Sequence, residues 1–272
     1  MSSKEVLTFK NKKLDTLVED IYDKLSVLSD GESLNIDDKT IDAFGESMKE
    51  VLSHWANPRP RDSGTLRMSN IGKPMRQLWY DMRSESKTTE RIKPSVFIKF
   101  LYGHLLEEVL LLLVKIAGHK VTDIKTASSF AFKKFYNKTL AEDDIFGYLP
   151  QLAGYEAAMG TNKGGFLAMN KESGEIALYR PDSFDKPDIK NKIKTVKKLI
   201  KVDTPPDLCY NPVPDGAAGN MKIGKGCTWC RHKFECHADA NEGKGLRVFK
   251  YADRYSYLTR VVKEPRVLEV TK

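Results

Sequence analysis

No cysteine occurs before position 209 in this chain of 272 residues, and only four occur in all. That spacing excludes a disulfide scaffold, which spreads its cysteines along a small secreted fold. Long apolar runs are equally scarce. The longest covers residues 109–114, six residues directly preceded by Glu107 and Glu108, against the roughly 20 a membrane-spanning helix needs. The opening Met-Ser-Ser-Lys-Glu leads into no apolar signal region. Internal repeats and low-complexity tracts are missing too. These absences predict a soluble protein of the cytoplasm with no membrane contact.

What is present is ordinary for a folded chain: 40% hydrophobic and 10% aromatic residues, enough for a core, with charged residues at 30%. Lys and Arg total 45 against 37 Asp and Glu, a formal +8. A basic balance of that size points toward nucleic acid or another anionic partner, without specifying it.

The chain opens on two apolar stripes at helical spacing. Leu14, Leu17, Val18, Ile21, Tyr22, Leu25 and Leu28 form the first; Ile41, Phe44, Met48, Val51, Leu52 and Trp55 form the second. Asp30-Gly31-Glu32-Ser33 between them predicts a helical hairpin, a packing or partner-binding arm over residues 1–56. Two prolines and a glycine make 57–66 a loop carrying Arg59 and Arg61. Pro74-Met75-Arg76-Gln77-Leu78-Trp79-Tyr80 reads as a short helix whose aromatics suit packing or base stacking equally. A helix over 94–118, apolar around most of its circumference, is expected to be buried, which makes Glu107 conspicuous. Residues 121–126 alternate like a strand. A helix over 145–159 contains Pro150, which bends it or marks its true start. Strands at 165–170 and 175–180 form a hairpin, and 190–201 is a helix with six lysines and no acid. Strand-like pieces follow near 246–251 and 267–270.

Four features carry chemistry. Asp123 and Lys125, two apart on a strand, share one face, so a carboxylate suited to a hard cation sits beside an ammonium suited to phosphoryl charge. Gly103 and Glu107 are one helical turn apart, the glycine leaving space beside the carboxylate. Gln151 and Tyr155 place two hydrogen-bonding tips on one helix face. The cysteines read Cys209-x17-Cys227-x2-Cys230-x5-Cys236, a spacing that suits a four-sulfur site for zinc or iron–sulfur, with His232 and His237 as substitutes.

In this order, the Gly-x-x-x-Glu helix, Asp-x-Lys strand, Gln-x-x-x-Tyr helix and closing Cys-x-x-Cys-x5-Cys resemble the RecB-like branch of the PD-(D/E)XK nucleases. The chain is similar there to phage-encoded exonucleases and iron–sulfur nucleases, over about residues 70–236. The resemblance implies an α/β, restriction-endonuclease-like fold: a mixed central sheet flanked by helices. The helical hairpin would precede a nuclease core at 57–208, and a cysteine metal knot with its tail would occupy 209–272. It implies Glu107 and Asp123 as ligands of catalytic Mg²⁺ or Mn²⁺, and Lys125 as catalytic lysine. Gln151 and Tyr155 would support the site and its DNA. Cys209, Cys227, Cys230 and Cys236 would hold a structural 4Fe–4S cluster or Zn²⁺. The expected activity is metal-dependent DNA exonuclease, with the lysine helix tracking the backbone and a protein partner available to the helical arm.

Two departures stand against it. The family's second acid, on a Gly-x-x-Asp hairpin before the Asp-x-Lys strand, has no counterpart: Gly118-His119-Lys120-Val121-Thr122 runs straight into Asp123. Either a connecting segment is absent, or a ligand has been lost. Loss would favour a second reading, a non-catalytic DNA-binding or recombination partner protein. The other departure is Met75, where many iron–sulfur relatives carry their first cysteine, so Cys209 would have to supply the fourth thiolate.

Overall fold

The periodic apolar positions at the start fold as two helices, α1 (Leu17–Ser26) and α2 (Asp38–Ala56). Asp37 caps α2, its carboxylate accepting the Thr40 N–H at 2.9 Å. In chain order there follow α3 (Met68–Ile71), α4 (Met75–Arg83), α5 (Pro94–Ile116), β1 (Asp123–Ala127), α6 (Ser129–Tyr136) and α7 (Tyr148–Met159). Next are β2 (Phe166–Asn170), β3 (Ile176–Tyr179), α8 (Ile189–Leu199), β4 (Val213–Pro214), β5 (Met221–Lys222) and α9 (Lys233–Cys236). Three short strands close the chain: β6 (Arg247–Lys250), β7 (Tyr255–Arg260) and β8 (Leu268–Glu269). This computed structural model describes residues 12–57, 64–83 and 93–270. Arg59 and Arg61 of the expected loop lie outside them.

The chain divides into two compact units. In the first (12–57, 93–144 and 148–189), β1 pairs parallel with β2 and β2 antiparallel with β3. This is a mixed α/β arrangement. A parallel pair needs a long crossover, and the segment holding α6 and α7 supplies it. Alternation along β1 sorts its side chains into two layers. Ala127 joins Phe132, Phe135, Leu149 and Leu152 from α6 and α7; Ile124 joins Leu17, Ile21, Leu110 and Val114 from α1 and α5. The helices of the expected arm contribute to this unit's core, since Leu17 and Ile21 belong to it.

One expectation about α5 changes, its burial, while Gly118 is the stop that was expected. The helix ends at Ile116, and only Gly103, Leu110 and Val114 along it are buried, while Phe97, Ile98, Phe100, Tyr102 and Leu111 are exposed. An all-round apolar surface signals burial only where neighbours surround the helix, and here α1, α2 and the sheet cover part of it. Its exit is a tight Schellman turn: Gly118 has φ +75°, His119 N–H donates to Val114 O and Gly118 N–H to Lys115 O. The chain enters β1 within a few residues. No hairpin intervenes, and among the described residues β1 is an edge strand.

The second unit comprises residues 64–83, 145–147 and 190–270. Its antiparallel sheet runs β4-β5-β7-β6-β8, of which β4, β5 and β7 were not evident in the sequence. Ile223, Cys227 and Leu246 form a small core with Tyr210, Phe234 and Tyr257. The cysteine segment is thus embedded in a sheet-bearing unit that also includes α4. Among the described residues, no helix is long and apolar enough to cross a membrane.

Candidate functional site

β1 presents Asp123 and Lys125 on the face toward α7, as the two-residue period requires. Lys125 Nζ lies 2.9 Å from Asp123 Oδ2 and donates to Gln151 Oε1 at 3.2 Å; Gln151 Nε2 donates to the Tyr155 hydroxyl at 3.0 Å. Four of the five residues expected from the sequence therefore form one continuous polar chain between a strand and a helix. Asp123 Oδ2 is fully buried and, despite the nearby ammonium, makes no hydrogen bond of acceptable geometry. Burial raises its carboxyl above the ordinary aspartate value, and Lys125 works against that rise.

α7 begins at Tyr148, which puts Pro150 in the first turn, where a missing N–H costs little. Asp144 supplies the cap, accepting the N–H groups of Tyr148 and Leu149, each at 2.8 Å. This start adds a residue that the sequence analysis missed. Tyr148, Gln151 and Tyr155 fall at i, i+3 and i+7 on one stripe, and Lys125 Nζ sits 4.8 Å from the Tyr148 ring centroid, a cation–π contact. Burial, then the negative charges of Asp144, Asp123 and Glu107, push the Tyr148 phenol up to about 12.

Glu107 is half-exposed rather than buried, and stands 3.6 Å from His104 Nδ1. It reaches the Asp123–Lys125 chain through its electrostatic effect on Tyr148, not by hydrogen bonding. The space beside Gly103 is not open: a Cβ there would lie 3.1 Å from Lys171 Nζ. Burial lowers the Lys171 ammonium while Glu107 holds it up. Lys171 was a second omission, and its place just after β2 gave no sequence signal.

In the second unit, Cys209, Cys227, Cys230 and Cys236 line one small pocket with Arg76, Tyr80, His232 and His237. All four are free thiols. Burial, then the charges of Cys236, Cys209 and Cys230, raise Cys227 to about 12. Such crowding is what a bound cation would relieve, so the donor set suits a thiophilic metal. Arg76 Nε donates to Cys236 Sγ at 3.0 Å. His237 Nε2 is buried without a partner. Among the described residues, however, no three His, Cys, Asp or Glu side chains are gathered as a metal-holding group, either here or around Asp123.

The two aromatics of α4 are used in packing. Trp79 is buried and donates to Val202 O at 2.8 Å, while Tyr80 stacks on His232. α8 carries most of the lysine run; Lys190, Lys194 and Lys197 repeat at helical spacing and are exposed, as is Lys201 just past its end. Comparison with family models, with curated proteins and with solved structures found no match.

Proposed function

We propose that this chain is a metal-dependent deoxyribonuclease of the PD-(D/E)XK kind, acting as an exonuclease. The observation that carries the reading is the polar chain Asp123–Lys125–Gln151–Tyr155, in which a largely buried carboxylate stands 2.9 Å from a fixed ammonium. Asp123 and Glu107 would hold Mg²⁺ or Mn²⁺, which when bound supplies an activated water and neutralises phosphoryl charge. Lys125 is held from three sides, by Asp123, Gln151 and the Tyr148 ring, so its charge is oriented before substrate arrives. Gln151 fixes that geometry through Tyr155. The cysteine pocket supports a structural Zn²⁺ or 4Fe–4S site, DNA is the partner, and the cytoplasm, a host's if the gene is a phage's, is the compartment.

A second reading has its own support. The direct turn from α5 into β1 leaves no hairpin to supply another acid, which favours a DNA-binding or recombination partner protein without catalysis. Cleavage assays on single-stranded and duplex ends, with and without Mg²⁺, separate the two. Metal-dependent digestion abolished by Lys125→Ala is the expected result. DNA binding with no cleavage by the unmodified protein would overturn the nuclease reading in favour of the second.

A further inference from the structure

Charge is not shared evenly between the two units. Residues 62–91, 145–147 and 190–272 carry 24 Lys and Arg against 13 Asp and Glu, a formal +11; the remainder carries 21 against 24, or −3. The whole excess of +8 therefore belongs to the cysteine-bearing unit. An anionic polymer would be drawn there first.

That unit also displays Trp229, which is 77% exposed. It sits between Cys227 and Cys230, whose thiols line the pocket while Trp229 does not. The turn is held by its own backbone: Thr228 N–H donates to Lys225 O at 3.2 Å and Cys230 N–H to Cys227 O at 3.0 Å. The indole is thus carried by an anchored turn rather than a free loop. So large an apolar ring left in water forfeits the burial that a packed indole would gain. Trp79, by contrast, is spent on packing.

We propose that Trp229 is a stacking platform for an unpaired base of a single-stranded nucleic acid. The reading rests on the nucleic-acid partner of the proposed function but not on its chemistry. An indole face accepts any base, and the unit's basic excess supplies the sequence-independent attraction to phosphate. A duplex keeps its bases stacked on one another and offers the indole nothing comparable. The unit's charge favours a polyanion over an apolar protein surface as the occupant.

The test is binding, without chelator and without added Mg²⁺ or Mn²⁺, of labelled phosphorothioate oligothymidine and of a phosphorothioate duplex of the same length. Trp229→Ala is expected to weaken the single strand about tenfold or more, and Trp229→Phe to stay within about threefold of the unmodified protein. Duplex affinity and the salt dependence should be unchanged, which a variant that merely unfolds would not achieve. Equal single-strand affinity for Trp229→Ala, or equal losses on both probes, would overturn the proposal. Cleavage with no such selective loss would leave the nuclease reading standing alone; selective loss without cleavage would do the reverse.

Discussion

Lys125 Nζ stands 2.9 Å from Asp123 Oδ2, with both side chains largely covered and on one face of β1. Removing the ammonium leaves a carboxylate in a dry setting that already raises its pKa. Lys125→Ala should therefore cost about 3 kcal/mol of stability near pH 7. The deficit has a defined pH course. With Lys125 gone, the folded-state pKa of Asp123 moves further above its unfolded value. Protonation then favours the folded state, and that stabilisation is lost as pH rises through the folded pKa. Urea denaturation should show the variant approaching the unmodified protein between about pH 7 and pH 4; a constant gap would mean that Asp123 is not the group exposed by the substitution.

Asp81 has the opposite sign. Burial raises its carboxyl, but His232 at 2.8 Å, Lys73 at 2.7 Å and Arg231 at 2.9 Å overcome this and hold it at about 2. Its folded pKa lies below the unfolded value, so the stabilisation is present above the unfolded value and lost as pH falls through about 2. The loss should be about 2 kcal/mol over that window. Asp81→Asn should remove this acid-sensitive component and cost about 3 kcal/mol at neutral pH, because three polar or cationic partners lose their carboxylate. Acid titration of the melting temperature checks both; an unaltered acid limb in the variant would contradict the assignment.

How far these features were legible depends on whether they were written in local pattern. Asp123 with Lys125, and Gln151 with Tyr155, follow from strand and helix periods, and the structure joins them across the crossover as their order suggested. Tyr148 was hidden because the true start of α7 is set by the Asp144 cap rather than by apolar spacing. The burial of α5 was overestimated for a related reason: hydropathy records what a helix offers, not what covers it. Packing of Trp79 and Tyr80 against Val202 and His232 depends on contacts more than 120 residues apart, which no window along the chain contains. Trp229 was passed over because its cysteine neighbours drew the chemistry.

Two glycines face each other in the second unit. A Cβ on Gly72 would lie 2.0 Å from Gly147 O, and one on Gly147 would lie 2.3 Å from Gly72 O, with Gly147 also at φ +71°. Backbone meets backbone, so neither side chain repacking nor rotation relieves the overlap. Gly72→Ala should destabilise by about 3 kcal/mol or more. Gly45, in the interior of α2, has open space and no positive φ; Gly45→Ala should stabilise by about 0.5–1 kcal/mol. Chemical denaturation of the pair gives opposite signs. A tolerated Gly72→Ala would show that the two segments do not approach so closely.

The cysteine pocket yields the last expectation. Cys209 lies far upstream of the Cys-x-x-Cys pair, yet its charge acts on Cys227, Cys230 and Cys236, and all four line one wall-to-wall space. If they close on a metal, protein purified without oxygen should contain stoichiometric zinc or iron, the latter with absorbance near about 400 nm. Serine at Cys209 should then lower metal content as severely as serine at Cys230, and chelation should cost at least about 3 kcal/mol of stability, since binding and folding of such a site are coupled. Arg76→Gln provides the finer check. It removes the donor 3.0 Å from Cys236 Sγ without removing a sulfur ligand, so metal should be retained with faster loss to a chelator. Metal-free protein whose melting is indifferent to chelators, and to Cys209→Ser, would leave the pocket as four reduced thiols packed beneath Arg76.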